Sequence, residues 1–250
     1  MAWLLIDNSN TRTKFALGCA DGLGVWRGIL ATEDVDAAAL EGLLAGVVFD
    51  AVVCASVVPE KARVLRDFFS ANKLFHEFTC RSEHGMGFEL EHPEQVGNDR
   101  LANAMGLLGE YGGAGIAVDF GTAVTFSVVS EGGNFCGGMI APGMAAMMEA
   151  LVGRTAQLPR IELREPVCAV GRTTEEAMLA GAVTGQRGMV GEILRALIGE
   201  MGGRPRVVAT GGGAVFGARG VSEIDVVDAD LTLKGIQFLA AKIFPESGGR

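Results

Sequence analysis

Apolar runs that end on a carboxylate punctuate this chain. Trp3-Leu4-Leu5-Ile6 leads to Asp7, then a polar stretch, then a second apolar run from Phe15 to Leu17. Ile116-Ala117-Val118 leads to Asp119, then Phe120-Gly121-Thr122, then a return through Ala123-Val124-Thr125-Phe126. Each reads as a strand, a tight turn and a returning strand, with the acid at the top of the first strand. Asp7 and Asp119 are 112 residues apart, and on that alignment Ser9 falls on Gly121 and Asn10 on Thr122. A repeat near half the chain length predicts two similar domains, residues 1–115 and 116–250, with the glycines from 112 to 115 at the boundary. Taken alone, either hairpin is equally an ordinary strand connection. Its alternative is a turn whose N–H groups and hydroxyls form an anion-binding concavity.

The intervening pattern fits an α/β domain. Residues 18–24 read as a hairpin turn and 25–30 as a third strand, and residues 33–45 are apolar at helical spacing. Residues 49–56 form a buried strand, Pro59 opens a helix and residues 74–79 alternate like a strand. That order suits a mixed sheet flanked by helices. Farther on, residues 97–108 predict a helix with Asn98 as N-cap and Asp99 and Arg100 in its first turn. Asp99 there is either a partner for the helix dipole or a carboxylate placed for catalysis, with Arg100 available to an anion.

In the second half, a glycine-rich loop between Gly137 and Gly143 precedes a Met-rich helix whose methionines read as core filling. Thr173 with Glu176 reads as a capping box opening a long helix, and Ala180, Gly181, Gly185 and Gly188 give that helix a small-residue surface for close packing, such as against a second subunit. Residues 205–214 read as strand, glycine turn and helix. That turn is either a plain βα connection or bare backbone for a flat ring. Residues 226–229 are a last strand, 230–242 a closing helix, and the tail after Pro245 reads as frayed.

Composition narrows the picture. The chain has 250 residues, 37 of them glycine, and a formal net charge of −9. Length alone permits one large domain or two, and the acidic balance argues against a nucleic-acid surface. Five cysteines without a CxxC fit a reduced, cytoplasmic protein, and no apolar run is long enough to predict a membrane span. His76, Cys80 and His84 are spaced four apart, which is compatible with a metal, but they lie on strand and loop and read more simply as structural.

The ordered set of motifs resembles the type III pantothenate kinases of the acetate and sugar kinase/Hsp70/actin superfamily. The matching pieces are Asp7, Asn8, Ser9, Asn10, Thr11, Arg12, Thr13 and Lys14; Ser56-Val57-Val58-Pro59; Gly97, Asn98, Asp99 and Arg100; and Asp119-Phe120-Gly121-Thr122. The loop from Gly137 to Gly143, the Thr174/Gly181 helix, Thr210-Gly211-Gly212 and the stretch from Leu231 to Gly235 follow in order. The resemblance implies two actin-like (ribonuclease H-like) α/β domains with mixed five-stranded sheets, an interdomain cleft, and a homodimer. It implies ATP-dependent phosphorylation of pantothenate, the first step of coenzyme A synthesis.

By that resemblance Asp99 accepts the substrate proton, and Gly97, Asn98, Asp99 and Arg100 line the pantothenate pocket. Thr174 contacts substrate from the other subunit. The run from Asp7 to Lys14, with Thr122, contacts the ATP phosphates, alongside Mg²⁺. Asp119 holds K⁺ or NH₄⁺. Pairing of Arg100 with the substrate carboxylate is a further inference from charge. Two positions depart from the family pattern. Ser9 replaces a usual glycine, which implies altered ATP affinity, and Leu90 replaces a usual aromatic, which implies a changed substrate pocket. The competing readings are another small-molecule kinase of the superfamily and a non-catalytic regulatory relative.

Overall fold

A computed structural model describes residues 1–71 and 73–245. The expected tail after Pro245 lies outside these. The strands of the first sheet are β1 (Trp3–Asn8), β2 (Arg12–Cys19), β3 (Gly22–Ala31), β4 (Ala51–Ser56) and β5 (Leu74–Glu77). They are ordered β3-β2-β1-β4-β5, with β1 antiparallel to β2 and parallel to β4. Every residue of β1 and β4 is buried, as expected of strands covered on both faces. Leu4, Ile6, Phe15, Leu40, Val52, Leu65 and Phe69 share one core cluster. Burying each large side chain contributes about 1.5–3 kcal/mol, so the apolar length of β1 is held firmly and its polar end is positioned by it.

Helix α1 is Ala37–Leu43 and starts later than the hydrophobic spacing predicts. Asp36 accepts a hydrogen bond from Ala39 N and so caps the helix, while Thr32–Asp34 forms a separate 3-10 turn. Helix α2, Pro59–Ser70, begins at its proline as expected. After the short strand β6 (Gly87–Phe88) comes α3, Asn98–Tyr111.

The second sheet contains β7 (Gly115–Phe120), β8 (Ala123–Val129), β9 (Asn134–Pro142), β10 (Arg206–Thr210) and β11 (Val226–Val227), ordered β11-β10-β7-β8-β9-β6. It has six strands rather than the expected five because Gly87 and Phe88 pair with Asn134 and Phe135. Helices α4 (Met144–Gly153), α5 (Thr174–Met201), α6 (Ala214–Gly217) and α7 (Leu231–Ile243) complete the chain. Met144 and Met148 of α4 are buried with Leu179 and Val183 of α5, which makes them core, as their sequence predicts. Thr173 and Glu176 form the full capping box at the start of α5.

Packing divides the chain into two units that are discontinuous in sequence. One comprises Met1–Gly115, Ser127–Gly137 and the chain from Asp230 onward, and the other comprises Ile116–Phe126 and Gly138–Ala229. The sequence repeat instead anticipates one cut at 115/116. The difference arises because α7 packs along α3. A Cβ on Gly235 would strike Ala102 O, and one on Gly106 would strike Leu231 O, so the two backbones touch where side chains are missing. Thr232 Oγ1 also donates to the buried Asn103 Oδ1 at 2.7 Å. The closing helix thereby belongs to the unit that holds α3.

Candidate active site

In the first unit the strand register builds a polar cluster. Asn8, the last residue of β1, lies opposite Thr13 of β2 on one side and Ser56 of β4 on the other. Its amide uses both ends: Nδ2 donates to Thr13 Oγ1 at 2.7 Å, and Oδ1 accepts from Ser56 Oγ at 2.6 Å. Thr13 Oγ1 lies 3.0 Å from Thr32 Oγ1, which in turn donates to Ser9 O at 2.6 Å. Asn8, Thr13, Thr32 and Ser56 are all buried. A buried polar group is costly unless paired, so a cluster closed in this way is specific in geometry. The side chains of Asn8 and Thr13 therefore face the body of the unit, and the outward groups of this segment belong to Asn10, Thr11 and Arg12, which are exposed.

Asp7 is buried, accepts from Ser9 Oγ at 2.8 Å and lies 3.7 Å from Lys14 Nζ. Ser9 N donates to Arg12 O, closing the turn. No non-glycine residue among those described has positive φ. Ser9 thus sits in the turn without left-handed strain, and its hydroxyl orients the Asp7 carboxylate.

At the mouth of α3 the N-cap is Gly97, with no side-chain cap, rather than Asn98. Asn98 is the first helical residue, and its Nδ2 donates to Ser56 O at 3.0 Å. The amide that sequence alone reads as a cap is used instead to fasten the helix to β4. Asp99 follows in the first turn, half-buried, with Oδ1 accepting from Arg100 N at 2.7 Å. A Cβ on Gly97 would come within 2.6 Å of that Oδ1, so glycine leaves the space the carboxylate occupies. Arg100 lies over the Phe135 ring at 5.6 Å and donates to Gly137 O at 3.3 Å. Burial draws its pKa below the usual arginine value, and the charge of Asp99 opposes that shift. Leu90 Cδ2 lies 3.2 Å from where a Cβ on Gly137 would be, so this departure from the family pattern borders the Arg100 region.

In the second unit the hairpin after Asp119 is closed by glycines. Gly121 N donates to Ala123 O, Gly143 N donates to Thr122 O at 3.0 Å, and Gly213 N donates to Phe120 O at 2.9 Å. Gly211, at φ +91°, lies so close that a Cβ there would collide with Asp119 Oδ1, and a Cβ on Gly217 would collide with the Phe120 ring. The glycines at 143, 211, 213 and 217 thus cradle the 119–122 turn. The turn at 211–213, which the sequence left open between bare backbone for a ring and a plain connection, packs against that hairpin. Thr122 is exposed and Asp119 half-buried. Thr210, one residue before Gly211, has a buried hydroxyl with no hydrogen-bond partner among the described residues. Thr174 is exposed at the first turn of α5.

His76, Cys80 and His84 form no metal cluster among the described residues. His84 Nδ1 accepts from Met86 N at 3.1 Å while Nε2 faces Cys80 O at 3.2 Å, so the ring is a structural pin.

The sequence model of the type III pantothenate kinase family matches residues 3–196. A type III pantothenate kinase of Akkermansia muciniphila is 49% identical over 240 residues, covering 96% of this chain and 98% of its own. One from Rhodospirillum rubrum is 37% identical over 265 residues, covering 97% and 99%. The chain belongs to the type III pantothenate kinases.

Among solved structures, a protein described as a 2-dehydro-3-deoxygalactonokinase from Sinorhizobium meliloti superposes with a TM-score of 0.62 at 14% identity, covering 99% of this chain and 98% of that one. One described as a Baf family transcriptional activator from Campylobacter jejuni gives 0.61 at 18% identity, covering 96% and 98%. At such identities these likenesses establish the fold alone, a mixed α/β actin-like architecture of two domains. Within it, the motifs of the type III pantothenate kinase pattern at 7–14, 56–59 and 97–100 meet in the first unit. Those at 119–122, 137–143 and 210–212 meet around the second hairpin, except Gly137 itself, which belongs to the first unit. Sequence reading missed Thr32, and it gave Ser56 no role. Neither has a local signal, because Ser56 acts through its register partner Asn8 and Thr32 through Thr13 and Ser9, partners 19 or more positions away in sequence that become adjacent once the sheet forms.

Proposed function

We propose that this chain transfers the γ-phosphoryl group of ATP to the primary hydroxyl of pantothenate, with Asp99 accepting the hydroxyl proton. The observation that carries this reading is the placement of Asp99. It stands in the first turn of α3, its carboxylate space is kept by Gly97, and its neighbour Asn98 is hydrogen-bonded to Ser56 O, next to the polar turn after Asp7. Phosphoryl transfer asks the protein chiefly to position groups and neutralise charge, so one general base beside a phosphate-holding turn is a sufficient inventory.

In this reading Ser9, Asn10, Thr11, Arg12 and Lys14 present donors to the phosphates, while Asn8 and Thr13 support the turn from behind. Asp7 is the carboxylate of that turn suited to hold Mg²⁺ entering with ATP, a hard ion usually bound by one or two carboxylates plus phosphate oxygens. Mg²⁺ supplies positive charge against the phosphates. Thr122 offers a hydroxyl and a turn backbone as an ATP contact from its own unit. Arg100, aimed by Phe135 and Gly137, receives the carboxylate of pantothenate, to which Gly97 and Asn98 also contribute. Asp119 holds K⁺ or NH₄⁺. The fit rests on one carboxylate approached by the bare backbone of Gly211, beside the Phe120 carbonyl, which suits the oxygen ligands of a weakly bound monovalent ion.

A homodimer in which Thr174 reaches the partner's substrate is supported by the exposed face of α5. There Gly181, Gly185 and Gly188 have nothing within 4 Å of where a Cβ would be. The deciding experiment is a coupled assay of ADP release. Release that depends on pantothenate is expected. A comparable rate with a sugar and none with pantothenate would overturn the reading.

A further inference from the structure

The buried cluster around Asn8 joins two parts of the first unit that sequence treats separately. Read in order, Ser9 O, Thr32 Oγ1, Thr13 Oγ1, Asn8, Ser56 and Asn98 form one hydrogen-bonded line, with successive contacts of 2.6, 3.0, 2.7, 2.6 and 3.0 Å. Its first member is in the polar turn and its last is the residue before Asp99. Ser56 is the joint. Its hydroxyl donates to Asn8 Oδ1 and accepts from Val58 N at 3.1 Å, which shapes the bend leading into α2, while its carbonyl accepts from Asn98. The backbone repeats the link, since Val57 N donates to Asn8 O at 3.1 Å. Val57 in turn stands by Gly97: its Cγ1 is 3.4 Å from where a Cβ there would be.

We propose that Asn8 and Ser56 are positioning residues that fix the first turn of α3, and with it the Asp99 carboxylate, against the turn at residues 9–12. This rests on the reading of Asp99 as proton acceptor and of that turn as phosphate contact. Neither Asn8 nor Ser56 touches the reacting atoms in it. Their effect is geometric. A direct interaction with one substrate would alter the affinity for that substrate, whereas a slack tie would leave both substrates bound and the base misplaced. Misplacement on the order of 1 Å costs about a hundredfold in rate.

The test compares Ser56→Ala, Asn8→Ala, their double variant, Ser56→Thr and Asp99→Asn in the steady-state pantothenate assay, with thermal melting as the fold control. Where Asn8→Ala fails to fold, Thr13→Val takes its place, because it removes the acceptor of Asn8 Nδ2. The expected result is a kcat lowered roughly 10- to 100-fold in each single variant, with both KM values within about threefold of the parent. The double variant is expected to be no worse than the weaker single, since the two residues act as one unit, and Ser56→Thr to recover most of the turnover by restoring a hydroxyl. A parental kcat in Ser56→Ala, a change confined to one KM, additive losses, or no recovery in Ser56→Thr each overturns the tie. Asp99→Asn separates the two ideas. If it turns over normally, the base assignment falls and the tie falls with it. If it is inactive while Ser56→Ala is normal, only the tie falls.

Discussion

At Asp99 the whole reading depends on one carboxylate and the space beside it. Asp99→Asn is expected to lower kcat by about 10²–10⁴-fold, the usual contribution of a general base, with an unchanged melting temperature. Gly97→Ala is a subtler probe. Gly97 has φ −59°, which alanine adopts freely, so the only cost is contact between the new methyl and Asp99 Oδ1. Loss of turnover with a preserved fold is expected, and parental activity would show that the carboxylate position is not critical.

His84 belongs to the same scale but bears on stability. Burial lowers its pKa from the usual 6.5, helped by the charge of Lys242 and opposed by the Cys80 carbonyl. The folded protein therefore favours the neutral ring. The stability this contributes is fully present above the unfolded pKa and is lost as pH falls through the folded value. Melting temperature should drop between about pH 7 and about pH 5, and His84→Gln should flatten part of that drop.

Among the elements, α3 and α7 are the pair whose contact is most exacting. Glycine inside a helix normally costs about 1 kcal/mol relative to alanine, so a glycine-to-alanine change there usually stabilises. At Gly235 the sign should reverse. The added methyl would meet Ala102 O, and overpacking of this kind costs about 1–3 kcal/mol. A lower melting temperature for Gly235→Ala, measured by calorimetry, checks the contact. Much of this level was legible beforehand. The proline opening α2, the capping box of α5 and the buried methionines of α4 all follow from local chemistry. The start of α1 is misread although its Asp36 cap on Ala39 is local, and the cap of α3 is misread because the Asn98 amide is taken by a distant partner. Asn98 found Ser56, 42 positions away.

For the whole molecule, the ion and the second subunit are the features open to direct measurement. If Asp119 holds a monovalent cation, K⁺ should raise the melting temperature of the parent chain more than Na⁺ does. That difference should vanish in Asp119→Ala, independently of any turnover. An equal response in both proteins would remove the ion from this site. If α5 packs against a second copy through its exposed glycines, Gly185→Arg should shift the mass measured by light scattering from dimer to monomer. A parental mass would place the interface elsewhere. No helix among the described residues is long and apolar enough to cross a membrane.

The sequence by itself determined the two acid-bearing hairpins, most of the strands and helices, and a set of candidate polar residues. Those features are written in local periodicity and turn chemistry, so each can be read without knowing its neighbours in space. The same reading missed β6 and took as a loop the stretch from Gly137 that the sheet extends as β9. Only the tertiary structure decided that Asn8 and Thr13 face inward, that Asn98 binds Ser56 rather than capping α3, and that the closing helix joins the unit containing α3. It also decided that the glycines at 143, 211, 213 and 217 close on the Asp119 turn. Each of these is a pairing between distant positions, fixed by strand register or by backbone contact at a missing side chain. Such pairings leave no periodic trace in the chain, because their energy arises only when the sheets and helices have brought the partners together.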